Sequence, residues 1–195
     1  TAAGTVLNAC GQWNNRAQAD HFSQTTQAKK PNLRSNGLKF DGSNDLLRAG
    51  SAFLTGSSGV VLSAVKLDSV SAGQALLSSA DEATAEVYVV ELWASSGASK
   101  VLLRQRNNDL IETVVGITNL VISKDYIEAW RSTGSVHLLY VNTKEEANGG
   151  SGDWFEDTSF IDSVVIGANK YSSETEQLKG VIKFIAVWEP DLTLD

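Results

Sequence analysis

Leu38-Lys39-Phe40-Asp41-Gly42-Ser43-Asn44-Asp45-Leu46-Leu47 is the stretch whose reading sets the fold class. Apolar and polar residues alternate up to Phe40, turn formers interrupt, and Leu46 and Leu47 return to apolar character. Glycine reaches positive φ at no steric cost, and Asn or Asp side chains hydrogen-bond the backbone close by. Two short strands, Leu38–Phe40 and Leu46–Arg48, are therefore expected on either side of a tight reversal. Phe40 and one of the two leucines would enter the core. Turn stabilisation is the leading reading of Asp41, Asn44 and Asp45. Asp41 and Asp45 are also candidate Ca²⁺ ligands, although calcium needs more converging oxygens than this local cluster supplies. No cofactor is otherwise expected.

The same pattern extends outward. Val60–Leu67, Gln74–Ser78, Ser163–Gly167 and Gly180–Trp188 read as strands, and Glu86–Ala94 alternates with both faces largely apolar. A strand apolar on both faces belongs at the centre of a layered structure. Val101–Arg106 and Asp109–Val115 predict a hairpin across Asn107-Asn108. Tyr126–Arg131 and Val136–Asn142 predict another, and Lys144–Asp157 reads as a long polar loop. Prolines occur only at positions 31 and 190. Residues 36–195 thus read as one antiparallel two-sheet sandwich of about ten to twelve strands. Residues 1–35, rich in Ala, Gln, Asn and Thr, read as an irregular arm packed along it.

The 195 residues are 42% apolar and 20% charged, with a net charge of −7. An acidic surface repels phosphate, which argues against nucleic acid and anionic membrane as partners. The longest apolar run, Phe184–Trp188, is far too short to cross a bilayer, so no membrane insertion is expected. One cysteine, Cys10, excludes an internal disulfide and any multi-cysteine metal site.

Two segments carry more than generic patterning. One is Asn36–Leu47, preceded by Trp13, Gln24, Ala28 and Pro31. The other is Val165-Ile166-Gly167-Ala168-Asn169 followed by Leu178–Trp188, with Tyr126–Trp130 and Val136–Asn142 in between. Together they resemble the laminin-G-like branch of the concanavalin A-like lectin/glucanase superfamily. That branch has an early FDG-x-D-D-x-L hairpin, paired strands ending in Asn-Gly, and a late Ile-Gly strand before a final strand. Asn44 stands here for the first Asp of the pair, and Thr143 for the Gly. The resemblance implies a concanavalin A-like jelly roll. Its opening looks like those of secreted bacterial proteins and phage structural proteins.

The resemblance implies that a retaining glycosidase of this fold would carry acids at alternating strand positions, which puts two carboxylates about 5–5.5 Å apart on one face, and that a lyase would carry an Arg, Gln-x-His and Tyr set. Glu91, Glu112 and Glu128 each stand alone in their strands, and His137 lacks a Gln two residues before it. No enzyme is therefore expected; a glycoside hydrolase or polysaccharide lyase is the remote alternative. The leading expectation is a lectin-like decoration protein on a virion surface, with other virion or surface proteins, or further copies of the chain, as partners. The alternative is a secreted or cell-surface carbohydrate-binding module. Sugars are bound by flat aromatic faces beside polar groups. The candidate ligand contacts are therefore Trp154 and Asp153, in a Gly-rich polar loop, with Trp93 and Trp130 in strands.

Overall fold

Alternation along Gly59–Leu67 translates directly into structure. Val61, Val65 and Leu67 are fully buried, whereas Val60, Leu62, Ala64 and Lys66 face partly outward. The computed structural model describes residues 12–14, 21–50, 54, 56–71, 73–93, 99–158, 160–170 and 173–189. Its strands are β1 (Gln12–Asn14), β2 (His21–Ser23), β3 (Asn32–Arg34), β4 (Gly37–Asp41), β5 (Leu47–Gly50) and β6 (Gly59–Leu67). They continue with β7 (Gln74–Ala80), β8 (Val87–Trp93), β9 (Leu102–Asn107), β10 (Leu110–Val115), β11 (Asp125–Ser132) and β12 (His137–Val141). Then follow β13 (Lys144–Gly149), β14 (Ser163–Ile166), β15 (Asn169–Lys170), β16 (Glu174–Thr175) and β17 (Lys179–Trp188). The front sheet has eight strands in the order β1-β2-β5-β14-β7-β8-β9-β10, and the back sheet seven in the order β13-β12-β11-β6-β17-β4-β3. Neighbouring strands run antiparallel throughout, and β15 and β16 form a separate small hairpin. The jelly-roll sandwich expected from the sequence is the fold observed.

The core lies between the sheets. Leu47, Leu76, Val89, Trp93 and Leu103 from the front meet Phe40, Val61, Tyr126, Trp130 and Leu139 from the back in one continuous cluster. Trp93 meets Tyr126 edge-on across the layers, with ring centroids 6.0 Å apart. Burying side chains of this size contributes roughly 1.5–3 kcal/mol each.

Several local expectations change. The Asp41–Asp45 reversal does not close a hairpin. It carries the chain from the back sheet, where β4 pairs with β17 and β3, to the front sheet, where β5 pairs with β14 and β2. The turn chemistry is as read: Asp41 Oδ1 accepts from the amides of Ser43 (2.7 Å) and Asn44 (3.3 Å), and Asp45 Oδ2 from the amide of Asp41 (2.9 Å). The described part of the 1–35 arm is more regular than its composition predicts. It supplies β1 and β2 at one edge of the front sheet and β3 at an edge of the back sheet, with a 3₁₀ turn at Gln27–Lys29 between. Residues 1–11 and 15–20, and the side chain of Trp13, lie outside the described residues. The stretch read as a loop from Lys144 begins with β13, paired to β12 through a reversal at Asn142 (φ 50°) and Thr143 (φ 68°). Left-handed backbone at a β-branched residue is strained, which explains why glycine is the usual occupant of such a turn.

Candidate functional site

The outer face of the front sheet departs from what a solvent-facing sheet surface normally carries. Ala75, Ser78, Ala80, Ser163 and Val165 are small or short side chains at no more than 1% exposure. Val165 is covered by Leu46 and Ala168. Tyr88 and Leu102 pack over Ala75 and Ala80 in a cluster separate from the main core. Ser78 Oγ donates to the Ala168 carbonyl at 2.8 Å, pinning the hairpin to the sheet.

Over this floor stands a set of charged groups. Arg104 and Arg106 alternate along β9 and therefore share one face. Arg106 is held by Glu86, by the Ala85 carbonyl at 3.2 Å and by the Asn108 carbonyl at 3.1 Å. Arg104 hydrogen-bonds Tyr88 on the neighbouring strand. Its nearest carboxylate, Glu176, lies 3.9 Å away, at the outer limit of an ion pair. Burial raises the Tyr88 phenol above its ordinary value, and the Arg104 guanidinium opposes that shift. Glu176 is itself positioned: its φ is +53°, its carbonyl accepts from the Ala75 amide at 2.6 Å, and its carboxylate accepts from Asn169 Nδ2 at 3.0 Å. Asn169 is 1% exposed, and its Oδ1 is buried without a hydrogen-bond partner among the described residues. A loosely engaged guanidinium, a phenol and a fixed carboxylate thus converge over a dry floor. Such a set supplies directional donors to a carboxylate and acceptors to sugar hydroxyls.

The tryptophans proposed from the sequence lie elsewhere. Trp93, Trp130 and Trp154 are each at most 1% exposed, so none offers a ring face to a ligand. Trp154 corrects the loop argument most sharply. Its ring lies 4.7 Å from Trp130 and 4.9 Å from Phe155, and its Nε1 donates to Glu189. The reason is local: Gly152, at φ +78°, is pressed onto the backbone of Ser135 and Val136, so the loop folds inward and plugs the end of the sandwich. Asp153 stays partly exposed beside this plug. Trp188, at the end of β17, is 36% exposed on the outer face of the back sheet, where it pairs with Val60. Asp41 and Asp45 spend carboxylate oxygens on their own turn, and no group of three or more His, Cys, Asp or Glu converges among the described residues. Burial, followed by the charge of Asp41, raises the Asp45 carboxyl to about 6.

The lone acids separate as well. Glu128 turns into the core at 0% exposure, where Ser63 Oγ donates to it at 3.3 Å. Glu112 accepts from the Ser151 amide and hydroxyl at 2.8 and 3.0 Å. The side chain of Glu91 lies outside the described residues. His137 is also buried; its Nδ1 accepts from Trp130 Nε1 at 3.1 Å, and desolvation lowers its pKa despite nearby Glu112 and Asp153.

No protein-family model and no curated protein sequence matches the chain. Solved structures do. The carbohydrate-binding module CBM40 of the Ruminococcus gnavus IT-sialidase, in a form bound to α2,3-sialyllactose, superposes with a TM-score of 0.69 at 16% identity, covering 83% of this chain and 94% of that one. The NanB sialidase of Streptococcus pneumoniae gives 0.67 at 14% identity over 82% of this chain but only 26% of the sialidase. A pentraxin from Limulus polyphemus gives 0.59 at 16% identity, covering 80% of this chain and 76% of that one. These likenesses show the fold, a two-sheet jelly roll. Among the described residues no helix is long and apolar enough to cross a membrane.

Proposed function

We propose that this chain is a carbohydrate-binding module whose ligand contacts the outer face of the front sheet at Tyr88, Arg104 and Glu176. The observation that carries the reading is Arg104. It is a guanidinium on β9, the strand next to the edge of the front sheet, about one-third exposed and held at 3.9 Å from its carboxylate partner. A guanidinium in that setting turns its planar fork to a ligand carboxylate at little cost. The R. gnavus module is known in complex with α2,3- and α2,6-sialyllactose, whose sialic acid bears such a carboxylate. Those folds support an acidic sugar here as the first ligand class to test. Of the roles considered from the sequence, this one gains from the comparisons; none of the structures named above is a virion protein, and virion decoration has no support from them.

The test is calorimetric titration of the protein with α2,3-sialyllactose, a neutral oligosaccharide serving as control. Binding to sialyllactose that weakens at least about tenfold in Arg104→Ala, with an unchanged thermal melt, is the expected result. Equal binding by wild type and Arg104→Ala, or none by wild type across acidic and neutral glycans, overturns the reading.

A further inference from the structure

Leu110-Ile111-Glu112-Thr113-Val114-Val115 forms β10, the last strand of the front sheet. An edge strand turns a row of backbone donors and acceptors to solvent, and proteins usually blunt it by shortness, charge or a bulge. Among the described residues, three of the four edges of the two large sheets are blunted in this way. β1 and β3 are three residues long, and β13 is charged at Lys144, Glu145 and Glu146 and shifts register against β12. β10 has none of these devices. It runs for six residues without proline, lysine or a register shift, and β9 is its only partner strand among the described residues. Ile111 and Val115 are 58% and 41% exposed.

The hairpin fixes which backbone groups face outward. Gly116, just past the strand, donates its amide to the Val101 carbonyl at 2.9 Å, on the β9 side. Backbone groups alternate sides along an antiparallel strand. Leu110, Glu112 and Val114 thus turn theirs to β9, and Ile111, Thr113 and Val115 turn theirs away from it. The side chains of these last three share the outer face of the sheet with their β9 partners Arg106, Arg104 and Leu102.

This edge is complementary to itself. A twofold axis through Thr113 sets Thr113 opposite Thr113, and Ile111 opposite Val115 of a second copy. Outer-face side chains then meet outer-face side chains, and three residues from each copy exchange about six N–H···O bonds. Glu112 falls opposite Val114, and its carboxylate is already bound by Ser151 at 2.8 and 3.0 Å. Other registers do less well. Centring the axis on Glu112 opposes two carboxylates, which is unfavourable. Centring it on Val114 calls on the Ile117 amide, which Glu146 takes at 2.9 Å.

We propose that the chain associates with a second copy of itself through β10, joining the two front sheets into one across a twofold at Thr113. One cross-strand row then reads Arg104, Thr113, Thr113, Arg104. Three steps of about 4.8 Å place the two arginine backbones about 14 Å apart on one continuous face. The pairing does not depend on the glycan-binding reading; on that reading it presents two sites in the same direction. A single strand pair covers less than the roughly 1,600 Å² of a standard interface, so the association is weak and reversible.

Sedimentation velocity from about 5 to 500 μM tests the pairing, and wild type should pass from monomer to dimer over that range. Thr113→Pro removes an outward N–H and no bond to β9, so it should stay monomeric with an unchanged melting temperature. A cross-linking pair tests the register independently of that variant's folding. Thr113→Cys in a Cys10→Ser background sets two thiols opposite each other at a Cα spacing of about 5.5 Å, which a disulfide spans. It should cross-link under mild oxidation, whereas Ile111→Cys in the same background should not, because its opposite residue is Val115. A wild type that is monomeric throughout, a dimer that survives in folded Thr113→Pro, or cross-linking at Ile111 in place of Thr113 overturns the proposal. So does a dimer that Thr113→Pro spares and Phe184→Ser abolishes, which assigns the contact to the back sheet. No readout involves a glycan, so either reading can fail while the other stands.

Discussion

The two outer faces of this sandwich differ in chemistry, although the back one also carries a charged row of Lys39, Lys66 and Asp125. On the front face, arginines, a tyrosine and carboxylates stand above a floor of Ala and Ser side chains that solvent does not reach. On the back face, strand register brings Phe184, Ala64 and Ile127 into one row, and Ala186, Leu62, Ala129 and Tyr140 into the next. Ile127, Phe184 and Trp188 are 53%, 41% and 36% exposed there. Apolar contact is non-directional, whereas forked donors and fixed acceptors discriminate among ligands by geometry. The difference teaches that exposed aromatic area, the usual sign of a sugar platform, points in this molecule to the face less equipped for sugar selection.

Changes between, on and around these faces should therefore have graded and separable effects. The largest belongs to neither face. Trp154→Ala empties a site between Trp130 and Phe155 and should cost about 3–5 kcal/mol in a denaturant melt, while glycan affinity of the folded fraction is retained. A near-neutral melt with lost binding would return Trp154 to the list of ligand contacts. Next, Arg104→Ala should weaken acidic-glycan binding at least about tenfold, and Phe184→Ser on the back face should leave it unaltered. If Phe184→Ser is the damaging change, the assignment of the faces is reversed.

Smaller effects follow from titration and backbone strain. The folded state holds the Asp45 proton up to about pH 6, well above the ordinary aspartate value of 3.8. Between those values the native state binds more protons than the unfolded chain, so Asp45 makes stability fall as pH rises from 4 to 6. His137 acts oppositely. Its lowered pKa means that the unfolded chain takes up the proton first, so stability falls as pH drops below about 6.5. Asp45→Asn should therefore gain melting temperature relative to wild type as pH rises from 4 to 7; a pH-independent difference would contradict the burial of that carboxyl. Smallest of all, Thr143→Gly should stabilise by about 0.5–1 kcal/mol, because it relieves φ +68° at a β-branched residue while adding some unfolded-state entropy. A loss of stability would show that the turn is unstrained.

Much of the fold is legible in the sequence because side-chain period reports the strand directly. The Val101–Arg106/Asp109–Val115 hairpin appears, but its turn is Asn108-Asp109 and not Asn107-Asn108, because Asn107 still pairs with Leu110; Asn108 takes φ 54° there. Which sheet receives a strand is not legible in the same way. Asp41–Asp45 encodes a reversal, and the same turn chemistry serves a hairpin within one sheet or an arch between two. Trp154 misleads because a Gly-rich polar segment reads as an exposed loop, whereas Gly152 lets this one press against the β11–β12 turn. The Arg104 site did leave a signal. Arg104 and Arg106 sit at alternate positions of a strand flanked by apolar neighbours, which places two charges on one face of an internal strand. Its partner Glu176 gives no local sign: it reaches the site through a hairpin whose docking depends on Ala75 and Ser78, about a hundred residues earlier.

The most direct test of the central claim is mapping backbone amide shifts by NMR as α2,3-sialyllactose is added. The account predicts perturbations clustered at Tyr88, Arg104 and Glu176 on the front face. Perturbations centred on Ile127, Phe184 and Trp188, or none at saturating sugar, would contradict it.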